Sequence, residues 1–472
     1  MALKEKVAHS FRWNTANVVV ISAVQILRMS VLARILDVAD FGLMAIALMV
    51  ISFVEIFSEL GFTVPLISRQ HITPGEYASV FWFNLLVSLG IYALLFVAAP
   101  FVTRFYGEPA LTAIIRLVGL SIIVNAFGKV FQTIKTKELC FKFIAIVSII
   151  TALFGFFVVL VLALWGFGVY SLVWGTLVQI AARQAVYFLS GLRESRISFH
   201  FCWAEVASFV RVGSYEVGAQ ILDFVASKID IILLGKFVGM SDLGVYNLAK
   251  ELVLKLVSFS LSISRTVMTP ALAKIQHDRL RVRSIFQGYF RLFALCIVPV
   301  FMAFCIFSPE VSRLMYGEKW ELVNPVLQCL AVYGVFRVLL IPNNTLQLAY
   351  GRTDLSLLWT LVISVVGFVL TLAAGQWGFM AIVYSQILYG VLLFLLSKVI
   401  ILNPIIRFTF PQYLRFSARP LLLCAALAVG LSFLRSLLPA GVVWVGVLMI
   451  LYGVLYGLGI WRSVVTLKQN IG

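Results

Sequence analysis

Long apolar runs, broken only by short polar clusters, fill this chain from near residue 13 to near residue 462, and no motif constrains the fold as strongly. A bilayer-spanning helix needs about 20 mostly apolar residues. Hydrocarbon leaves no backbone polar group unpaired, so such runs mean helices rather than open sheets. With 62% hydrophobic and only 12% charged residues over 472 positions, and a mean hydropathy of +1.04, the apolar surface exceeds what one soluble core hides. The expected fold class is an all-α integral membrane protein with roughly fourteen transmembrane helices. The basic start before the first run has the look of a signal peptide, but no small-residue cleavage site follows, and Arg28 and Arg34 interrupt the segment. It reads as an uncleaved first helix.

Alternate loops differ in basic residues. One side collects Lys4, Lys6, Arg12, Lys135, Lys137, Lys142, Arg279, Arg281, Arg283, Arg415 and Arg462 among others; the other holds Arg34, Arg104, Lys236, Arg313, Lys319 and Arg435. The positive-inside rule then puts both termini in the cytoplasm. Topology alone distributes the net charge of +17, so nucleic acid is not an expected partner. The cysteines and histidines lack metal-ligand spacing and there is no phosphate-binding GxxxxGK[ST] loop, so no cofactor, no metal and no enzymatic activity are expected. The connections are too short to house a soluble catalytic domain.

Three pairs of phrases repeat in order. "LARILDVADFGL" (Leu32 to Leu43) matches "LGKFVGMSDLGV" (Leu234 to Val245) at an offset of 202; "VTRFYGE" (Val102 to Glu108) answers "VSRLMYGE" (Val311 to Glu318); "WGFG" (Trp165 to Gly168) answers "WGFM" (Trp377 to Met380). Duplication of a six-helix unit accounts for all three. The expected organisation is residues 1–200 and 201–405 as two parallel six-helix repeats, with 406–472 as two additional transmembrane helices. Parallel helical repeats around a pseudo-twofold axis are a transporter plan in which rocking exposes a central site to each side in turn. The Tyr-Gly-Glu phrases themselves read as outward corners: Tyr106 and Tyr316 for an aromatic belt, Gly107 and Gly317 for tight helix ends.

The stretches "LKEK" at Leu3, "VLARILDVADFGL" at Val31, "KELCFKF" (Lys137 to Phe143), "AKIQHD" (Ala273 to Asp278) and "YGEKWELVNPVLQ" (Tyr316 to Gln328) carry a resemblance to a known family. Over its first twelve helices the chain resembles the polysaccharide-transporter branch of the multidrug/oligosaccharidyl-lipid/polysaccharide flippase superfamily, in particular its Wzx-type, colanic-acid-exporter-like members. The resemblance implies flipping of an undecaprenyl-pyrophosphate-linked oligosaccharide across a bacterial inner membrane. H+ or Na+ as coupling ion and the polysaccharide polymerase machinery as a partner come with the same resemblance. A lipid II or drug/cation transporter of that superfamily, and a membrane polysaccharide polymerase or ligase, are the competing readings. The third needs outward catalytic groups, whereas all four histidines fall in segments expected to be cytoplasmic.

Ionisable side chains within spans are costly and mark function by default. Asn14, Asn17, Gln25 and Arg28 share one face of helix 1, within about 80° at 100° per residue. Glu216, Gln220, Asp223 and Asp230 do the same on helix 7. The offset of 202 places Arg28 opposite Asp230, which suggests a charge pair at an outer gate; pairing within each repeat is the alternative. Arg28, Arg116, Lys250 and Arg337 are expected to line a cationic cavity, since arginine donor pairs match phosphate oxygens. Glu55 and Glu59, one turn apart on helix 2, and Asp223 are candidates for gating or ion coupling. Pro342 with Asn343 and Asn344 predicts a break in helix 10.

Overall fold

The computed structural model describes residues 3–59, 66–67, 69, 72–194, 199–317, 320–406, 410–437 and 442–471. Among these residues all regular structure is helical. The helices are α1 (Leu3–Ile35), α2 (Val38–Glu59), α3 (Pro74–Tyr106), α4 (Ala110–Lys137), α5 (Phe141–Leu164), α6 (Val169–Glu194), α7 (Trp203–Phe237), α8 (Met240–Lys274), α9 (Arg279–Ile306), α10 (Ser308–Tyr316), α11 (Val323–Leu339), α12 (Ile341–Ala349), α13 (Thr353–Gly375), α14 (Phe379–Ser397), α15 (Phe410–Leu437) and α16 (Val442–Ile471). A π turn, Lys398–Leu402, and a short helical stretch, Asn403–Ile406, extend α14.

Among the described residues ten spans are long and apolar enough to cross a membrane. The other four of the fourteen read from the sequence fall on α7, α8, α15 and α16, parts of whose side chains lie outside the described residues; within the last two the described apolar stretches are Pro420–Leu431 and Gly446–Ile460. The spans show apolar side chains outward as well as inward: on α3, Leu94, Val97 and Phe101 are exposed at i, i+3 and i+7, while Leu95 and Ala99 are buried. A soluble helix would put polar residues on that outer face. The chain is a multi-pass membrane protein.

Local sequence chemistry sets the helix ends. At "TPGE", Thr73 Oγ1 accepts the Glu76 N–H (3.2 Å) and the Glu76 carboxylate accepts the Thr73 N–H (2.7 Å), a reciprocal cap before Pro74 opens α3. Gly107 ends it in the left-handed region (φ 75°), its N–H donating to the Thr103 carbonyl at 2.8 Å.

The chain packs as two compact units, Met1–Gly244 and Val245–Gly472. In the first, α4 packs on α2, α3 and α6, and α5 lies between α1 and α6. The repeat division expected at 200/201 concerns descent; packing puts α7 with the first unit, against α2 and α3. The reason is apolar: Val206 and Phe209 of α7 join Phe81, Phe131 and Tyr187 in one buried cluster.

A polar anchor reinforces that docking. The buried Ser79 of α3 donates to Glu205 Oε2 (2.6 Å) and accepts the Cys202 N–H (3.0 Å), and His200 Nε2 lies 3.2 Å from Glu205 Oε1. Glu205 precedes the apolar stretch of α7. The Ser79 hydrogen bond is the main cause that holds its carboxyl below the ordinary 4.5, with His200 adding to it against partial desolvation. A carboxyl lowered on folding contributes stability at neutral pH and loses it as pH falls through the folded value. Glu205→Gln is therefore expected to lower the melting temperature at about pH 7, and the gap from wild type is expected to close as pH falls below about 4.5. Melting curves at both pH values check this; an unchanged gap rules the anchor out.

In the second unit α11 packs against α9 and α14, and both α15 and α16 lie on α9. Pro299 has no N–H, so it leaves the Leu295 carbonyl of α9 without its helical donor. Tyr456 of α16 donates its hydroxyl to that carbonyl at 2.8 Å, and Tyr452 donates to the Pro299 carbonyl at 2.9 Å. The two C-terminal helices are thus hydrogen-bonded onto the unit's central helix.

The Tyr-Gly-Glu tyrosines are not the belt residues the sequence suggests. Tyr316 is fully buried beside Trp320 and donates to the Leu248 carbonyl (3.4 Å), and the half-buried Tyr106 donates to the Ile232 carbonyl (3.5 Å). Each ties its corner to a neighbouring helix, which removes the hydroxyl from the interface. Glu318 and Lys319 lie outside the described residues.

Candidate functional site

The first unit carries a polar track through an apolar bundle, and α6 is its spine. Thr176, Gln179, Arg183, Gln184 and Tyr187 fall within an arc of about 140° at 100° per residue. Arg28, half-buried on α1, donates from Nη1 to Gln179 Oε1 (3.2 Å) and from Nη2 to Thr176 Oγ1 (3.3 Å). Farther along α6, Gln184 Nε2 donates to Asn125 Oδ1 of α4 (2.8 Å), and Asn125 Nδ2 donates to Glu55 Oε1 of α2 (2.9 Å). Gly128 makes this crossing possible, since a Cβ there would overlap Gln184. The two ends of the track are five to eight residues apart on α6, or about 7.5 to 12 Å at 1.5 Å per residue.

The structure therefore brings Arg28 and Glu55 onto one helix face through neutral polar side chains. Sequence reading alone misses Thr176, Gln179, Asn125 and Gln184. The signal that could have found them is the polar arc of α6, whose span has a hydropathy of 1.2, the lowest of the ten.

Pro100 frees the Phe96 carbonyl of α3, and Arg116 Nε of α4 donates to it at 3.2 Å. The guanidinium also lies over the Phe96 ring, 3.9 Å from its centroid, and the Arg116 carbonyl accepts the Tyr92 hydroxyl. These contacts mend a proline-broken helix.

Asp230 of α7 is buried, and its Oδ1 accepts the Ile231 N–H at 2.9 Å; Asp223, two turns earlier, is exposed. The side chains of Glu59 and Glu216 lie outside the described residues. In the second unit, Lys250 is buried on α8 with its Nζ 5.8 Å from the Tyr246 ring centroid, and Arg337 is half-buried in the last turn of α11. The break predicted at Pro342 is present: α11 stops at Leu339 and α12 restarts at Ile341. There Asn343 Nδ2 donates to Ser397 Oγ and Tyr413 Oη, both at 3.0 Å.

Residues 31–325, more than half of the chain, match the family described as "Polysaccharide biosynthesis protein". The chain belongs to that family. Among similar proteins, the lipopolysaccharide biosynthesis protein WzxC of Escherichia coli (strain K12) is 27% identical over 417 residues, spanning 88% of this chain and 84% of the relative. The teichuronic acid biosynthesis protein TuaB of Bacillus subtilis (strain 168) is 23% identical, spanning 91% and 89%. The fold is similar to that of the lipid II flippase MurJ in its inward closed conformation, with a TM-score of 0.76 at 12% identity over 97% of this chain and 100% of that one.

Proposed function

We propose that this family member flips a lipid-linked oligosaccharide, carried on undecaprenyl pyrophosphate, from the inner to the outer leaflet of a bacterial inner membrane for surface polysaccharide assembly. It does so by alternating access, with both termini cytoplasmic, and residues 1–200 and 201–405 are its two repeats. The observation that carries this reading is Arg28, a half-buried cation within an apolar span whose guanidinium donates to Gln179 and Thr176 on the polar face of α6. A guanidinium so placed keeps the charge and the paired donors that a pyrophosphate needs. Lys250 and Arg337 are the further cations of this reading, each within an apolar span. Glu55 binds the coupling ion, H+ or Na+, and the flipped unit passes to the polysaccharide polymerase machinery.

A deletion strain tests the reading. Loss of this chain is expected to leave single lipid-linked repeat units facing the cytoplasm, accessible to a membrane-impermeant glycosidase in inverted vesicles but not in intact spheroplasts. Repeat units displayed outside would instead indicate a polymerase, and accumulated lipid II the cell-wall precursor flippase.

A further inference from the structure

The first pair of repeated phrases meets itself in the fold. Gly42, in the first turns of α2, faces the backbone of Met240, so that a Cβ would overlap the Met240 carbonyl oxygen. Gly244, in the first turns of α8, faces Val38 in the same way, and its Cβ would overlap the Val38 carbonyl oxygen and lie 3.2 Å from the Gly42 nitrogen. The offset of 202 maps Val38 onto Met240 and Gly42 onto Gly244. Each glycine therefore contacts the counterpart of the residue that its own counterpart contacts. That reciprocity is the mark of a self-complementary contact on a twofold axis.

Only glycine permits it. The obstructing atoms are backbone oxygens, which cannot rotate aside as a side chain would. The contact consists of α-hydrogens turned toward carbonyls, a weak interaction that packs closely and separates cheaply. The first Tyr-Gly-Glu corner braces it from behind: Lys236 Nζ donates to the Phe105 carbonyl at 2.7 Å, and the Tyr106 ring rests on Gly235, where a Cβ would come within 2.8 Å. Two of the three repeated phrases are thus assembled into one corner.

We infer that this crossing is the outward gate, closed backbone to backbone at Gly42 and Gly244, and that release of cargo requires the first turns of α2 and α8 to part. The inference rests on the proposed orientation and function. Gly42 and Gly244 act as positioning residues that set how tightly the corner shuts.

The test uses a full-length protein whose six cysteines are replaced, with Met240→Cys as a reporter; Met240 is buried at the crossing, and the substitution keeps its carbonyl. A membrane-impermeant maleimide added to intact cells is expected to label it slowly. Gly42→Ala or Gly244→Ala is expected to speed labelling about tenfold by favouring the parted state and to lower surface polysaccharide. Gly90→Ala, which meets nothing within 4 Å, is the control and leaves both unchanged. Equal labelling in Gly42→Ala and Gly90→Ala overturns the gate. If the alanine variants do not fold, the reporter with both glycines intact still decides: faster labelling in cells making the lipid-linked precursor than in cells blocked in its synthesis supports the gate, and equal rates overturn it. Asp37→Cys, at an exposed position in the same connection, separates the two readings. If it is labelled only in inverted vesicles, the proposed orientation fails and the gate with it; if it is labelled from outside while Met240→Cys does not respond, the gate alone fails.

Discussion

Arg28→Ala is expected to cut export on the order of 10- to 150-fold with the folded protein still present. The magnitude follows from the loss of hydrogen bonds to a charged group, about 1.5–3 kcal/mol, at about 1.4 kcal/mol per tenfold. Arg28 holds two neutral acceptors at 3.2 and 3.3 Å, longer than the 2.7–2.9 Å usual when both partners are charged. A pyrophosphate offers the fork charged acceptors in place of Gln179 and Thr176, which strengthens each hydrogen bond. Arg28→Lys keeps the charge but loses the planar donor pair and is expected to fall between wild type and alanine. Exchange of charge, Arg28→Asp with Asp230→Arg, separates substrate binding from an outer charge pair: recovery above either single variant supports the pair. Arg116→Ala is the contrasting case. It leaves the Phe96 carbonyl unpaired, at a cost of about 1–3 kcal/mol in stability, with export per folded molecule close to wild type. Surface polysaccharide, normalised to protein level in a complemented deletion strain, reads all of these. Wild-type export by Arg28→Ala would remove Arg28 from the site.

That contrast also shows where sequence reading stops. Apolar run length carries the membrane fold, because lipid imposes that pattern residue by residue along one chain. Arg28 and Glu55 stand out for the same reason, as charges within apolar spans. Arg116 stands out just as clearly, yet its partner is a carbonyl that becomes free only because Pro100 lies one turn beyond Phe96, across the α3–α4 hairpin. Nothing local tells a cation that mends a helix from one that meets a substrate. The neutral members of the track fare worse. Asn125, Gln179 and Gln184 are ordinary residues until the packing of α4 on α6 aligns them, and neutral amides carry no charge to mark them, only the lowered hydropathy of α6. Gly42 and Gly244 stand out in the sequence as an echo, but an echo says only that two phrases are alike; the fold says that they touch.

Glu55→Gln is expected to reduce export by about tenfold or more while leaving the melting temperature near wild type, because it removes a charge and spares a hydrogen-bond chain. Glu55 Oε1 accepts from Asn125, whose own carbonyl accepts from Gln184. Glutamine offers a carbonyl oxygen at the same place, so Asn125 keeps its orientation and α2, α4 and α6 stay linked. Glu55→Ala has no such acceptor; it leaves the Asn125 amide unsatisfied inside the bundle and is expected to cost about 1–3 kcal/mol as well as export. A coupling ion can drive a conformational change only by binding its two states unequally, and a tenfold bias needs about 1.4 kcal/mol of difference. A carboxylate in an apolar bundle supplies that difference through its charge, through protonation or a bound sodium, whereas glutamine supplies none. Export measured while the proton and sodium gradients are collapsed separately should respond in wild type to one of them and in Glu55→Gln to neither. If Glu55→Gln exports normally and keeps its ion dependence, then the Glu55–Asn125–Gln184 chain is a structural tie between three helices, and the coupling charge must be sought on α7, where Asp230 is buried.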